Sequence, residues 1–121
     1  MSYDDNNIFA KILREEIPCK KIYEDEFVLS FYDINPQKKI HALVIPKGKY
    51  IDLDDFSQNA SSEEMVGLLK GINTVAKKLG ISVDTGKGYR TLANISEDGG
   101  QEVPHLHFHL FGGEKVGKMV E

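Results

Sequence analysis

Cysteine is nearly absent: Cys19 is the only one in 121 residues. That excludes an intrachain disulfide and any cluster of metal-bound thiolates, and it is compatible with a reducing compartment. Positive charge is also scarce, since 15 lysines and arginines against 19 acids leave a formal net charge of −4. The lysines are scattered and form no patch with interleaved aromatics, so the footprint of a nucleic-acid binder is missing. An anionic substrate must then be captured by local groups. No apolar run approaches the ~20 residues needed to cross a bilayer. The start, Met1-Ser2-Tyr3-Asp4-Asp5-Asn6-Asn7, is polar and acidic, without the basic and apolar stretches of a secretion signal. The expectation is a soluble cytoplasmic protein with neither nucleic acid nor membrane as partner. Its length and 40% hydrophobic content predict one domain, residues 1–121, around a single core.

Histidine, by contrast, is concentrated. Three of the four fall at alternate positions in Gly99-Gly100-Gln101-Glu102-Val103-Pro104-His105-Leu106-His107-Phe108-His109-Leu110-Phe111. Successive side chains of a strand point to opposite faces, so His105, His107 and His109 are predicted to project together while Leu106, Phe108 and Leu110 face a core. A row of imidazoles, which ionise near neutrality, supplies a nucleophile, a proton donor and an orienting partner without a cofactor. The glycine pair ahead of it can turn with positive φ and offer main-chain N–H groups to an anion. Phosphate beside histidine predicts phosphoryl or nucleotidyl chemistry. Zinc is the competing use of clustered histidines. Alternate strand positions lie ~7 Å apart at Cα and the outer pair ~13 Å, so one ion could join two of them with His41, but hardly all three.

The remaining pattern predicts an α+β fold. Asn7 N-caps a short helix whose apolar positions Ile8, Phe9, Ile12 and Leu13 repeat until Pro18 stops it. Residues 21–24 and 27–32 read as a hairpin turning at Asp25-Glu26, a pair without the favoured glycine. The loop Asp33-Ile34-Asn35-Pro36-Gln37 follows, where Asp33 on its own reads as a turn cap. Ala42-Leu43-Val44-Ile45 is apolar on both faces, as in a central strand, with His41 at its entrance and Pro46 at its end. Residues 51–62, rich in aspartate, read as a solvated loop. Ser61-Ser62-Glu63-Glu64 is a capping box that opens a long helix over 62–79. Met65, Leu68, Leu69, Ile72, Val75, Ala76 and Leu79 form its apolar face, and Gly80 is its C′ residue. Gly86-Lys87-Gly88 turns into a strand over 89–94, and the loop over 95–101 leads antiparallel into the histidine strand. Beyond Gly112-Gly113 the tail is short and polar. The sum is an antiparallel sheet of about five strands with one short amino-terminal helix and one long helix.

The run His105-Leu106-His107-Phe108-His109-Leu110-Phe111 resembles the signature of the histidine triad family. Lys11-Ile12-Leu13-Arg14-Glu15-Glu16-Ile17-Pro18, Asp33-Ile34-Asn35-Pro36, His41-Ala42-Leu43-Val44-Ile45-Pro46-Lys47 and Gly88-Tyr89-Arg90-Thr91-Leu92-Ala93-Asn94 are similar to that family's nucleotide-binding-protein branch, in order and over nearly the whole chain. The resemblance implies a HIT-like fold. It also implies a homodimer joined into a continuous sheet through the long helix and an adjacent strand. The implied activity is cleavage of the P–N bond of nucleoside 5′-phosphoramidates through a nucleotidyl-histidine intermediate, with purine (AMP or GMP) conjugates as substrates and no cofactor required.

By the same resemblance His107 is the nucleophile, its Nδ1 proton held by the carbonyl of His105. His109 contacts nonbridging oxygens and helps protonate the departing amine, and His41 supports the cluster. Phe9, Ile12 and Phe31 are implied against the nucleoside, Asp33 on the ribose hydroxyls, Ile34 against the base and Asn94 by the phosphate. Gly100, Gln101, Glu102 and Val103 are implied around the phosphate oxygens. Two other functions stay open: a dinucleoside polyphosphate hydrolase, and a nucleotide-binding regulatory protein with little turnover. Gly112-Gly113 and the Lys47 motif favour the phosphoramidase branch. Glu102 stands where some members carry serine, and the tail lacks the aromatic ending of some relatives, so leaving-group preference does not transfer.

Overall fold

The computed structural model describes residues 2–119. In chain order the elements are α1 (Ile8–Leu13), β1 (Lys21–Glu24), β2 (Val28–Tyr32), β3 (Ile40–Pro46), α2 (Leu53–Asn59), α3 (Ser62–Lys78), β4 (Arg90–Leu92) and β5 (Phe108–Gly112). The strands make one five-stranded antiparallel sheet in the order β1-β2-β3-β5-β4. Central β3 is buried from His41 to Pro46, as its two-sided apolar sequence requires.

Each face of the sheet carries its own apolar cluster. Val28, Ala42, Val44, Leu106 and Leu110 pack with Leu68, Ile72 and Val75 of α3. Phe9 and Ile12 of α1 cover Leu29, Phe31, Leu43 and Ile45. Consecutive residues of β2 and β3 thus fall in opposite clusters, the period of two expected of a sheet covered on both sides.

Local signals set most element ends. Asn7 Oδ1 accepts from the Ala10 N–H at 2.9 Å and starts α1. The helix does not run on to Pro18. Glu15 takes φ +63°, and the N–H groups of Glu15 and Glu16 donate to the carbonyls of Ile12 and Lys11, a Schellman closure without glycine. In the β1–β2 hairpin Asp25 supplies what glycine usually does, its Oδ1 accepting from the N–H groups of Phe27 (2.8 Å) and Val28 (3.0 Å). Ser61 and Glu64 make both bonds of the capping box, and Gly80 follows the α3 cap at φ +73°.

Three expectations require correction. Residues 51–62 are not a solvated loop, because α2 occupies their middle. Asp52 caps it by accepting from the Asp55 N–H at 2.8 Å, Asp54 and Asp55 favour its positive end, and Phe56 is buried edge-on to Tyr50. The face of α3 is rotated from the predicted stripe, leaving Leu69 68% exposed. Gly67 and Gly71 form the close-contact line, where an added Cβ would sit 2.4 Å from the Phe27 ring and 2.8 Å from Val28 Cγ2. Finally, β5 starts at Phe108 and β4 spans only Arg90–Leu92, so His105 and His107 lie on the approach to the strand and only His109 lies within it.

Candidate active site

The β3–β5 register sets His41 opposite Phe111 and Leu43 opposite His109, which brings His41 and His109 to the face covered by α1. The ring centroids of His41 and His109 are 5.1 Å apart, as are those of His107 and His109. Phe9 of α1 stands edge-on to His107 at 4.9 Å and to Phe31 at 5.6 Å. One short helix therefore both covers the sheet and walls the histidine cluster.

The three alternating histidines are not equivalent. The His105 ring is fully buried, with the Tyr3 hydroxyl 2.6 Å from Nδ1 and the Pro46 carbonyl 2.8 Å from Nε2. A carbonyl only accepts, so Nε2 carries the proton and Nδ1 accepts from Tyr3. Both ring nitrogens are engaged, and the part of His105 that reaches the cluster is its carbonyl, 2.7 Å from His107 Nδ1. The same logic places the His107 proton on Nδ1 and leaves Nε2 with a lone pair.

Burial pushes all four histidines below the ordinary imidazole range. His105 and His109 fall to about 4, each lowered first by desolvation and further by neighbouring histidines. His41 and His107 are also lowered by desolvation, with the Asp33 carboxylate opposing. At neutral pH the cluster is a set of uncharged rings offering lone pairs and N–H groups.

Asp33 is both a turn cap and a member of the cluster. Its Oδ1 accepts from the Asn35 N–H at 2.8 Å and its Oδ2 lies 3.4 Å from His41 Nε2. Ile34 beside it is 94% exposed, while Phe9, Ile12 and Phe31 are buried and Asn94 is half-buried just past β4. Asp33, His41 and His109 bring donor atoms within 4.8 Å of one another, a set of metal-ligand type. In that set His41 Nε2 and His109 Nδ1 are already hydrogen-bonded at 2.9 Å.

The glycine loop is wired differently from the expectation. Gly100 adopts φ +75°, and Gly99 is required because a Cβ there would meet the Ile95 carbonyl oxygen at 2.4 Å. The N–H groups of Gly100 and Gln101 donate to the carbonyls of Glu97 and Ser96, so they hold the loop together and do not point at a ligand. The Gln101 side chain is a brace, donating to the carbonyls of Ile51 (2.6 Å) and Val103 (3.0 Å) and accepting from the Ser96 N–H (3.0 Å). The main-chain N–H groups of Glu102 and Val103 make no hydrogen bond among the described residues, which leaves them, like those of Glu97, Asp98 and Gly99 earlier in the loop, available as donors to an anion.

Sequence reasoning missed Tyr3, the Pro46 carbonyl and the Gln37 main-chain N–H, which donates to His41 Nδ1 at 3.1 Å. Two of these are backbone groups, which carry no residue-type signal. A cavity of about 620 Å³ between the β1–β2 hairpin and α3 contains none of the histidines. Chemistry rather than cavity size locates the site.

Comparison with known proteins shows the family and the fold. Residues 14–116 match the HIT domain family. Over 119 residues the chain is 53% identical to a 13.2 kDa HIT-like protein of Azospirillum brasilense, covering 98% of this chain and 95% of that protein. It is 39% identical over 117 residues to the purine nucleoside phosphoramidase of Escherichia coli K12, covering 96% and 94% of the two chains. A solved HIT family hydrolase from Clostridium thermocellum superposes with a TM-score of 0.85 at 38% identity, covering 98% of this chain and 99% of that one.

Proposed function

The chain belongs to the HIT domain family, and from that premise we propose that it is a hydrolase cleaving the P–N bond of purine nucleoside 5′-phosphoramidates. The observation that carries this reading is the 2.7 Å bond from His107 Nδ1 to the His105 carbonyl, which leaves a neutral ring with its Nε2 lone pair free. Nε2 attacks the α-phosphorus, the P–N bond breaks with its electron pair going to nitrogen, and the amine leaves with a proton. Water then attacks the nucleotidyl-histidine and returns neutral His107 and nucleoside monophosphate. The free N–H groups of Glu102 and Val103, with His109, bear the charge that develops on the phosphate oxygens.

Asp33 takes the ribose hydroxyls in this reading, because an ionised carboxylate accepts from two vicinal donors. Exposed Ile34 lies against the base, with Phe9, Ile12 and Phe31 behind the nucleoside and Asn94 by the phosphate. No cofactor takes part, and the protein works in the cytoplasm. Two copies join along α3, where Val66 and Leu69 are half or more exposed, and along the open edge of β4. Among the described residues no helix is long and apolar enough to cross a membrane.

The test is hydrolysis of adenosine 5′-phosphoramidate with chelator present, followed by product chromatography, comparing the natural protein with His107→Ala. Loss of at least about 10³-fold in turnover is expected on removing a nucleophile. Full turnover by the variant would refute the assignment. Faster cleavage of diadenosine polyphosphate would favour the polyphosphate hydrolase, and tight AMP binding without turnover would favour a regulatory role.

A further inference from the structure

The hydrogen bonds around His41 run in one direction. The Gln37 main-chain N–H points at His41 Nδ1 across 3.1 Å, and a backbone N–H only donates. His41 Nδ1 must therefore be bare, and the proton of the neutral ring sits on Nε2. That nitrogen lies 2.9 Å from His109 Nδ1 and 3.4 Å from Asp33 Oδ2, and the carboxylate only accepts. The Nε2–H of His41 thus donates to His109 Nδ1, with Asp33 as a second acceptor. His109 Nδ1 is bare in turn, and its proton sits on Nε2. Among the described residues no group is hydrogen-bonded to that Nε2–H.

We propose that the Gln37 main-chain N–H fixes the tautomer of His41 and, through it, that of His109, holding His109 as a neutral Nε2–H donor to a phosphate oxygen and barring it from acting as a general acid. An imidazolium at His109 would carry a second proton on Nδ1, facing the His41 Nε2–H across 2.9 Å. Relief by moving the His41 proton from Nε2 to Nδ1 would set a protonated Nδ1 against the Gln37 N–H across 3.1 Å. Charged or titratable groups facing His109 are His107 just before β5, His41 on β3 and Asp33 after β2. Gln37 and His41 are positioning residues, acting through His109. The proton that the departing amine acquires comes from solvent water. Only the identities of the oxygen and the amine rest on the phosphoramidase reading, because the tautomers belong to the free protein.

Two measurements test this. Long-range ¹H–¹⁵N spectra of histidine-labelled protein at pH 7, assigned with His41→Gln, should show both His41 and His109 protonated at Nε2 alone. An Nδ1-protonated or doubly protonated His109 would overturn the proposal. Gln37→Pro, which removes the donor, should release both rings into mixed tautomers; an unchanged His41 in the folded variant would overturn the role of Gln37. The wild-type spectra decide the tautomers even where that variant does not fold. Kinetically, His109→Gln keeps an amide N–H near the place of Nε2 and cannot titrate. It should stay within about tenfold of the natural protein, whereas His109→Ala should lose ~10²-fold or more, the scale of one lost oxyanion donor. Equal damage from the two variants, or an alkaline fall in kcat/KM that only His109→Gln abolishes, would restore a general-acid role. If no phosphoramidate is turned over, the function fails while the spectra still decide the tautomers.

Discussion

Lowering the pH from 7 to 4.5 should strip stability from this protein through its buried histidines. His105 is the clearest case, being fully buried with both ring nitrogens bonded in the neutral form and its pKa at about 4. In the unfolded chain the ring takes up a proton near pH ~6.5. Between these values the unfolded state binds a proton that the folded state refuses, so unfolding becomes easier as pH falls. The loss begins below ~6.5, grows by ~1.4 kcal/mol per pH unit, and stops near pH 4, for a total of about 3 kcal/mol from this group. That is a large part of a typical margin of ~5–15 kcal/mol. His41, His107 and His109 are shifted in the same direction and steepen the slope. Glu24, held down to about 2 by Lys21 and Lys47, begins to lose its contribution only below the ordinary glutamate value near 4.5, so the upper part of the window belongs to the histidines. Urea unfolding at half-unit pH steps would measure the slope in the natural protein and in His105→Gln. The variant should lose roughly one proton's worth of slope, whatever its stability at pH 7. Flat stability across the window, or an unchanged slope in the variant, would refute the argument.

Other consequences follow from local contacts. Ser61→Ala removes the acceptor for the Glu64 N–H at 3.1 Å and should cost about 1 kcal/mol, read as a fall in Tm. Gly86→Ala puts a Cβ 2.2 Å from the Gly80 carbonyl oxygen, so backbone must move; about 1–3 kcal/mol should be lost in urea unfolding. Leu69→Glu, on the exposed α3 face where we propose that two copies join, should leave the fold intact by circular dichroism and lower the light-scattering mass from the proposed dimer to the monomer; an unchanged mass would refute that interface.

Much of this protein was legible wherever the cause is local. Asn7 and Ser61 announce their helices because a cap needs a particular side chain within three residues of its N–H partner. The alternation of His105, His107 and His109 with Leu106 and Leu110 survives into the structure as one face of histidines and one of core. Residues 51–62 misled for the opposite reason. The aspartates that suggest a solvated loop are also helix-start residues, and only the burial of Phe56 against Tyr50 decides between them. The Leu69 face was illegible because glycines at 67 and 71, silent in a hydrophobic pattern, let α3 approach the hairpin along a different line.

The sequence by itself determined that imidazoles gather after a glycine turn, since residue type and a period of two are written in the chain. The tertiary structure alone decided what each ring is for. His105 turns inward to Tyr3, 102 residues away, His107 is aimed by a carbonyl, and His41 and His109 take their protons in an order imposed by the Gln37 N–H. Tautomers answer to main-chain donors and acceptors, which every residue but proline carries alike, so only the fold can say which of them faces an imidazole.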